Sequence, residues 1–300
     1  MAQIVGLGQA RMDYVGVVPR LPAFGGGSER LNAFAVSAGG SATTAMATAA
    51  RLGAETALIA MVGKDRAGEE LTTVLAQAGV QTDLVRVDDL GITQLAVVLV
   101  EEATGRRAVA ASPGPEAGPA IDEPDRARIG GAAVLYVDGE HQKAALAAAH
   151  WAREQGVSVV YDARESPPGT EELVGLADYL LADGEFLTLF TALGDQDQAA
   201  RRLLELGPSV VVAHSPENGA HTWTRREAFH TPPFALSASR VFHGAYVYGI
   251  TRAWTLAYIA DFAAGAAALA ARVPGDTRGL PTLAEVQAFL ADKGITSPTQ

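Results

Sequence analysis

The sequence predicts an α/β protein whose mainly parallel sheet is covered by helices on both faces, with a small β lid added to it. Two observations carry this. Beyond about residue 130, short apolar runs alternate with Ala-rich helical stretches, a pattern that requires crossover connections and parallel strands. Ahead of that region, two β-rich runs meet around Thr104-Gly105, and a Gly-rich, charged segment from Arg11 to Phe34 shows alternating stretches with no helical period.

In chain order, Ala2 to Gly8 reads as a buried strand, followed by the Arg11 to Phe34 excursion from the core. From Ser41 the pattern turns helical to Leu52 and stops at Gly53; Thr56 to Val62 is a short apolar strand, and Gly68 to Ala78 a second helix ending at Gly79. Thr93 to Glu101 and Arg106 to Ala111 form a hairpin that would pair with the early excursion, making a lid from about residues 11–36 and 92–112. After the Pro-rich stretch Pro113 to Pro124, strands are expected at Ala133 to Val137, Ser158 to Asp162, Tyr179 to Ala182 and Ser209 to Ala213. Helices are expected at Gln142 to Gln155 and Gln196 to Leu206, then near Phe242 to Trp254, Leu256 to Ala271 and Leu283 to Lys293. With 48% hydrophobic residues in 300, the chain can bury one large core, so a single domain spanning 1–300 is expected.

A formal charge of −11 provides no basic field for a polyanion, which argues against general nucleic-acid binding and leaves room only for a local pocket around one phosphorylated ligand. The absence of cysteine rules out disulfides and thiolate metal sites and is compatible with a reducing compartment. Met1 to Gly8 lacks the basic start and long apolar run of a secretion signal. Ile259 to Ala271 is too short to span a bilayer and carries Asp261. The expected location is cytoplasmic, with no membrane partner.

In open parallel sheets, ligands bind beyond the carboxyl ends of the strands. Asp13 follows the first strand: a carboxylate there accepts two sugar hydroxyls, or it is a solvated turn acid. Gly39 and Gly40 precede the first helix: they let a ligand approach backbone N–H groups, or they make a tight turn.

Gly39-Gly40-Ser41-Ala42-Thr43-Thr44, followed by Ala49-Ala50-Arg51-Leu52-Gly53 and by Val62-Gly63-Lys64-Asp65 with Gly68, resembles the N-terminal signature of the ribokinase (PfkB) family of carbohydrate kinases. Val241-Phe242-His243-Gly244-Ala245-Tyr246 looks like the opening of that family's long active-site helix, and Gly279-Leu280-Pro281-Thr282 resembles its closing segment. The resemblance runs over essentially the whole chain. It implies a ribokinase-like three-layer α/β/α sandwich that uses ATP and Mg2+, and a homodimer paired through the lid. By the same resemblance Asp13, Gly39 and Gly40 would hold sugar hydroxyls. Thr44 stands where the family has an asparagine, losing the amide's paired donor and acceptor and so altering sugar preference. Arg107, in the lid hairpin, is either within reach of an anionic group on the substrate or solvated.

The chain departs from this family in the segment before the active-site helix, where the family carries an acidic-threonine-glycine run ending Gly-Ala-Gly-Asp. Here the stretch is Phe234-Ala235-Leu236-Ser237-Ala238-Ser239-Arg240, about six residues shorter, with Arg240 at the position of the catalytic aspartate. Arginine cannot accept a substrate proton at neutral pH. Arg240, Ser237 and Ser239 either bind an anion or belong to a solvated loop; His243 either packs the helix start or substitutes as base. Asp162, Asp183 and Glu185 are further carboxylates that would have to approach the substrate hydroxyl.

On the nucleotide side, the loop His214-Ser215-Pro216-Glu217-Asn218-Gly219 keeps only the last glycine of the family's Thr-x-Gly-x-x-Gly, and Pro216 removes an N–H. Ala264 stands where a polar residue near the adenine is usual. Glu185 matches the family's water-mediated magnesium ligand, or is a lone surface acid, with Ala182 in place of its asparagine partner. Three readings follow: an ATP-dependent sugar kinase; a non-catalytic sugar- or phosphate-binding homologue; or a gene product in which this loop has been engineered or damaged.

Overall fold

The structure, a computed structural model, describes residues 3–23, 25–104, 106–115, 118–234, 239–273, 275 and 277–297. The chain opens with β1 (Ile4–Leu7), β2 (Arg11–Val18), β3 (Ala33–Gly39), α1 (Ser41–Arg51), β4 (Thr56–Gly63) and α2 (Arg66–Gln77). It continues through β5 (Val80–Gln81), β6 (Val85–Asp88), β7 (Gln94–Glu101), β8 (Arg107–Ala111), α3 (Glu123–Gly130), β9 (Val134–Val137), α4 (Gln142–Glu154), β10 (Ser158–Ala163) and α5 (Thr170–Leu176). Then follow β11 (Tyr179–Ala182), α6 (Gly184–Thr191), α7 (Gln196–Leu206), β12 (Val210–Ser215), β13 (Gly219–Thr224) and β14 (Ala228–Thr231), and finally α8 (Ser239–Thr251), α9 (Leu256–Ala270) and α10 (Leu283–Ala291).

The main sheet has the order β14-β13-β12-β11-β10-β9-β1-β4-β5, with β6 also paired to β4. It is parallel from β12 to β5 and antiparallel only through the β12-β13-β14 meander. All four residues of β1 and of β9 are buried, as central strands covered on both faces require. Two apolar layers flank the sheet. On one face Ala45 (α1), Leu71 (α2), Phe242 (α8), Ile259 (α9) and Leu290 (α10) share a cluster. On the other, Ile129 (α3), Ala145 (α4), Leu173 (α5), Phe186 (α6) and Leu203 (α7) share a second. Each of these Leu, Ile and Phe side chains removed from water contributes about 1.5–3 kcal/mol. The fold is therefore the three-layer sandwich that the resemblance implied, built on the mainly parallel, doubly covered sheet expected from the alternation.

A separate four-stranded sheet, ordered β3-β2-β7-β8, is built from the early excursion and the later hairpin. β2 runs parallel to β7 and antiparallel to β3, while β7 and β8 form the expected antiparallel pair. Pairing in strict register puts Asp13, Val15, Val98, Arg107 and Val109 on one face and Tyr14, Phe34, Val97 and Leu99 on the other.

Some boundaries differ from the pattern in the sequence for local reasons. α2 begins two residues before Gly68 because Asp65 is its N-cap and accepts a hydrogen bond from Gly68 N–H at 2.8 Å, which places that glycine in the first turn. α8 ends at Thr251, three residues before the expected Trp254, and Ala253 takes a left-handed conformation (φ 53°). Among the described residues no helix is long and apolar enough to cross a membrane.

Candidate functional site

The chain progresses one way along the sheet from β1 to β4 and the other way from β9 to β12, so the crossovers diverge between β1 and β9. A crevice opens at the carboxyl ends of strands there. Its floor comes from the β1–β2 connection, its walls from the heads of α1 and α8 and from the residues that follow β9 and β10. The small sheet stands over one side.

Two hollows occupy this crevice. One, of about 550 Å³, lies between the small sheet and the end of α9, and its wall includes Asp13, Val15, Val98, Arg107, Val109 and Arg272. The other, of about 340 Å³, is lined by Gln9, Ser41, Asp138, Tyr161, Arg164 and Glu165 among others. Arg11 and Arg240 belong to the walls of both. A larger hollow of about 970 Å³ lies elsewhere, against α2 and β6; it is lined by Gly63, Lys64, Asp65 and Gly68 of the N-terminal signature but by none of the candidate sugar, nucleotide or base residues.

At the floor, Arg11 and Asp13 are two residues apart on β2 and so point the same way. Arg11 Nε donates to Asp13 Oδ1 at 2.6 Å and Nη2 to Oδ2 at 3.3 Å, in a buried two-pronged pair. The solvated-turn alternative for Asp13 does not describe this carboxylate, which is 2% exposed. A Cβ on Gly39 would lie 2.3 Å from Asp13 Oδ2, and one on Gly40, whose φ is 105°, would lie 2.3 Å from the Gln9 carbonyl oxygen. The two glycines therefore make room for the Asp13 carboxylate and for the β1–β2 connection. Thr44 lies in the buried part of α1, absent from the walls of both hollows, and its Oγ1 makes no hydrogen bond among the described residues.

Asp138, immediately after β9, is the site residue that sequence reasoning missed. Its Oδ2 accepts from Gln9 N–H (2.9 Å) and Ala42 N–H (3.1 Å), and its Oδ1 from Glu140 N–H (3.1 Å). It thereby joins the ends of β1 and β9 to the first turn of α1. Burial pushes its carboxyl up to about 6; the three N–H bonds oppose that rise and the nearby charge of Asp162 adds to it. The signal available in the sequence was its place, an acid one residue beyond a buried strand.

Asp162, in β10, is fully buried. Tyr136 Oη donates to its Oδ2 at 2.6 Å, His243 Nδ1 stands 3.1 Å from that oxygen, and Arg164 Nε lies 3.7 Å from Oδ1. Burial alone would raise this carboxyl, but the charges of His243 and Arg164 and the hydrogen bonds hold it well below the usual carboxylate range. His243 is itself buried against Asp162 and lies in neither hollow's wall, so it faces the sheet and packs the start of α8. Asp183 caps α6, accepting from Phe186 N–H at 2.7 Å, and Glu185 is exposed in the first turn of that helix.

On the side expected for a nucleotide, His214 is buried at the end of β12 with its ring stacked on Phe242, centroids 4.0 Å apart. Burial, then the charge of His243, pushes it down to about 3. Asn218 and Gly219 form the tight β12–β13 turn: Asn218 N–H donates to Ser215 Oγ at 3.0 Å and Gly219 has φ 75°. Ala264 is buried in α9. Ser237 and its neighbours 235, 236 and 238 lie outside the described residues, as does the side chain of Ser239.

Chemically, the crevice offers guanidinium donors at its centre, buried carboxylates engaged by backbone, arginine or histidine, and the exposed carboxylates of Glu140 and Glu165. Comparison with known proteins fits this architecture. Over 98% of this chain and 99% of its partner, the chain is 28% identical to the ATP-dependent ribose-1-phosphate kinase of Halopiger xanaduensis. It is 21% identical to the 5-dehydro-2-deoxygluconokinase of Shouchella clausii, over 97% of this chain and 96% of that one. The structure of Arabidopsis thaliana ribokinase complexed with ribose and ATP superposes with a TM-score of 0.79 at 21% identity, covering 96% of this chain and 98% of that one, a likeness of fold. Residues 1–283 match the pattern of the pfkB family carbohydrate kinases, and the chain belongs to that family.

Proposed function

We propose that this member of the family binds a sugar in the crevice under the small sheet without transferring phosphate to it through the family's aspartate. The observation that carries this reading is Arg240. It occupies the residue before Val241-Phe242-His243-Gly244 and lines both hollows. A guanidinium stays protonated above pH 12 and cannot take a proton from a hydroxyl. The two buried neighbouring carboxylates do not replace the base. Asp162 is enclosed by Tyr136 and His243, and Asp138 is held by three N–H groups. A base has to reach the reacting hydroxyl first and be matched in pKa second.

The residues expected to hold ATP and Mg2+ fit that pair poorly. His214 is inside the core, Ala264 offers no polar group, and Glu185 is exposed on α6. Asp13, in a face of the crevice roomy enough for a monosaccharide, supports the sugar part of the reading. The small sheet serves as lid. Its outer face carries Phe34 and Val97, 59% and 53% exposed, beside Leu99 and Tyr14, and this face pairs two copies into a homodimer.

An ADP-release assay with ATP, Mg2+ and a panel of pentoses, hexoses and their acids tests the proposal. The expected result is no turnover above the sugar-free rate, with a sugar raising the melting temperature and MgATP leaving it unchanged. Sugar-dependent ADP release by the wild-type chain would overturn it in favour of the second reading, an ATP- and Mg2+-dependent sugar kinase. That reading draws its support from whole-length similarity to relatives named as kinases.

A further inference from the structure

The hollow of about 550 Å³ under the small sheet has valine as its commonest wall residue. Strand register explains why. Outward along β2 from Asp13 every second residue faces the hollow, so Val15 and Val17 follow at about 7 and 13 Å. Val15 stands beside Val98 of β7, which stands beside Val109 of β8, and Val17 stands beside Val100. Charged side chains bracket this apolar stretch, with Arg11 and Asp13 at its inner end and Glu101, Glu102 and Arg107 toward its outer end. Val15 and Val98 pack with Ala35 and Ala96 in a small core of their own and are each 5% exposed. Val109 lacks such cover, and so does Val273, which lines the hollow from beyond the end of α9; they are 55% and 43% exposed. One exposed valine is ordinary, but two on the opposite walls of a single hollow mark a place that an apolar group completes. Among the described residues no aromatic side chain lines this hollow.

We infer that the ligand is a sugar carrying a hydrocarbon substituent, an alkyl or aryl glycoside, with its hydroxyls toward Asp13 and its substituent between Val109 and Val273. This rests on the sugar-binding reading above, and the apolar wall is continuous with the carboxylate which that reading gives to the sugar. Sugar hydroxyls laid against valine would lose their hydrogen bonds to water and gain none in exchange. A hydrocarbon gives up no hydrogen bond there, and it removes two exposed valines from water along with its own surface. A nucleobase fits this wall less well. Its edge N–H and carbonyl groups need partners that valine does not offer, and its ring gains most from stacking on an aromatic face, which the hollow lacks. The site is therefore amphipathic along β2, polar at Asp13 and apolar from Val15 outward, and it complements a ligand with the same gradient.

Isothermal titration calorimetry on the full chain tests this with ribose, glucose and galactose against their methyl, n-butyl and phenyl β-glycosides, and with adenosine, uridine and 1-butanol alone. In at least one sugar series affinity should rise about threefold for each methylene added between methyl and n-butyl. The gain should carry a negative heat-capacity change and persist as NaCl rises to about 0.5 M, since burial of apolar surface is not screened by salt. Val109→Asp should abolish the gain and Val109→Thr should reduce it, with circular dichroism checking the fold; Val109 belongs to no core cluster among the described residues. Free and substituted sugars binding equally well would overturn the inference and leave the sugar-binding reading intact, because a lid that shuts its valines on one another needs no substituent. Failure of every sugar and glycoside to bind would overturn both. A nucleoside binding tighter than the phenyl glycosides would sink the inference by making the substituent a base, and 1-butanol binding as tightly as the butyl glycosides would sink it by leaving the sugar no part. If Val109→Asp does not fold, the wild-type series decides.

Discussion

Asp138 and Asp162 end neighbouring strands and are both buried, yet their environments push them in opposite directions. Asp138 has only N–H dipoles to offset burial and rises from 3.8 to about 6, whereas Asp162 has His243, Arg164 and the Tyr136 hydroxyl beside it and falls. The two signs have separate consequences for stability. Because Asp138 is raised in the folded state, its contribution is fully present below the unfolded pKa of about 4 and is lost as pH climbs through about 6. Carbon-detected NMR, with the resonance assigned by Asp138→Asn, should show a carboxyl titrating near 6; a midpoint near 4 would contradict the burial argument. Asp162 contributes above about pH 4, and its share is lost as pH falls through its lowered folded value. Removing its charge leaves the buried Tyr136 hydroxyl and His243 Nδ1 without their charged acceptor, so Asp162→Asn should cost roughly 1–3 kcal/mol in urea denaturation at pH 7. Arg240→Asp on its own should not create a kinase, since the preceding segment is also shorter than the family's and lacks its glycines. ADP release from that variant would show that the base alone was missing.

The head of α1 shows how an element can depend on an unseen neighbour. Gly39 is small because the Asp13 carboxylate occupies the space its Cβ would need, so Gly39→Ala should destabilise the protein by about 1–3 kcal/mol. Asp13→Gly in the same chain should recover part of that loss, and equal, additive losses would show that the two do not compete for space. The Gly39-Gly40 pair was legible in the sequence, but its reason was not, because Asp13 and Gly39 meet only through the β2–β3 pairing and Asp138 comes from about 96 residues further on. Long apolar or Ala-rich elements were likewise legible: β11 and α7 fall on the expected residues, and α1, α4 and α9 differ by one residue at an end. α3 was not, because it buries only Asp125 and Ile129 and is held by an Asp122–Asp125 capping box and by Arg86 rather than by an apolar stripe. Seven-residue α5 and eight-residue α6 are too short to establish a period, and β13 and β14 lie at the sheet's edge with mixed polar faces. The sequestration of His243 was also illegible, since it depends on Asp162 from the neighbouring strand.

For the whole molecule, the two sheets divide the work. The ten-stranded sheet fixes the crevice, and the small sheet supplies a wall and an apolar outer face. Analytical ultracentrifugation at micromolar concentration should give a dimer, with Phe34→Glu/Val97→Glu shifting it to monomer; a monomeric wild type would refute the pairing role of that face. The double variant should keep its melting temperature within a few degrees, because neither residue belongs to a core cluster. The placement of Arg11 and Arg240 in both walls has a last consequence. They form a partition between a compartment of about 550 Å³ and one of about 340 Å³. A short ligand can rest on one side of this partition, but a longer one has to thread past two side chains, one of them anchored to Asp13. The crevice should therefore behave as a sieve for length. Across a homologous series of aldoses, affinity should climb with each added carbon until the first compartment is full and then break downward.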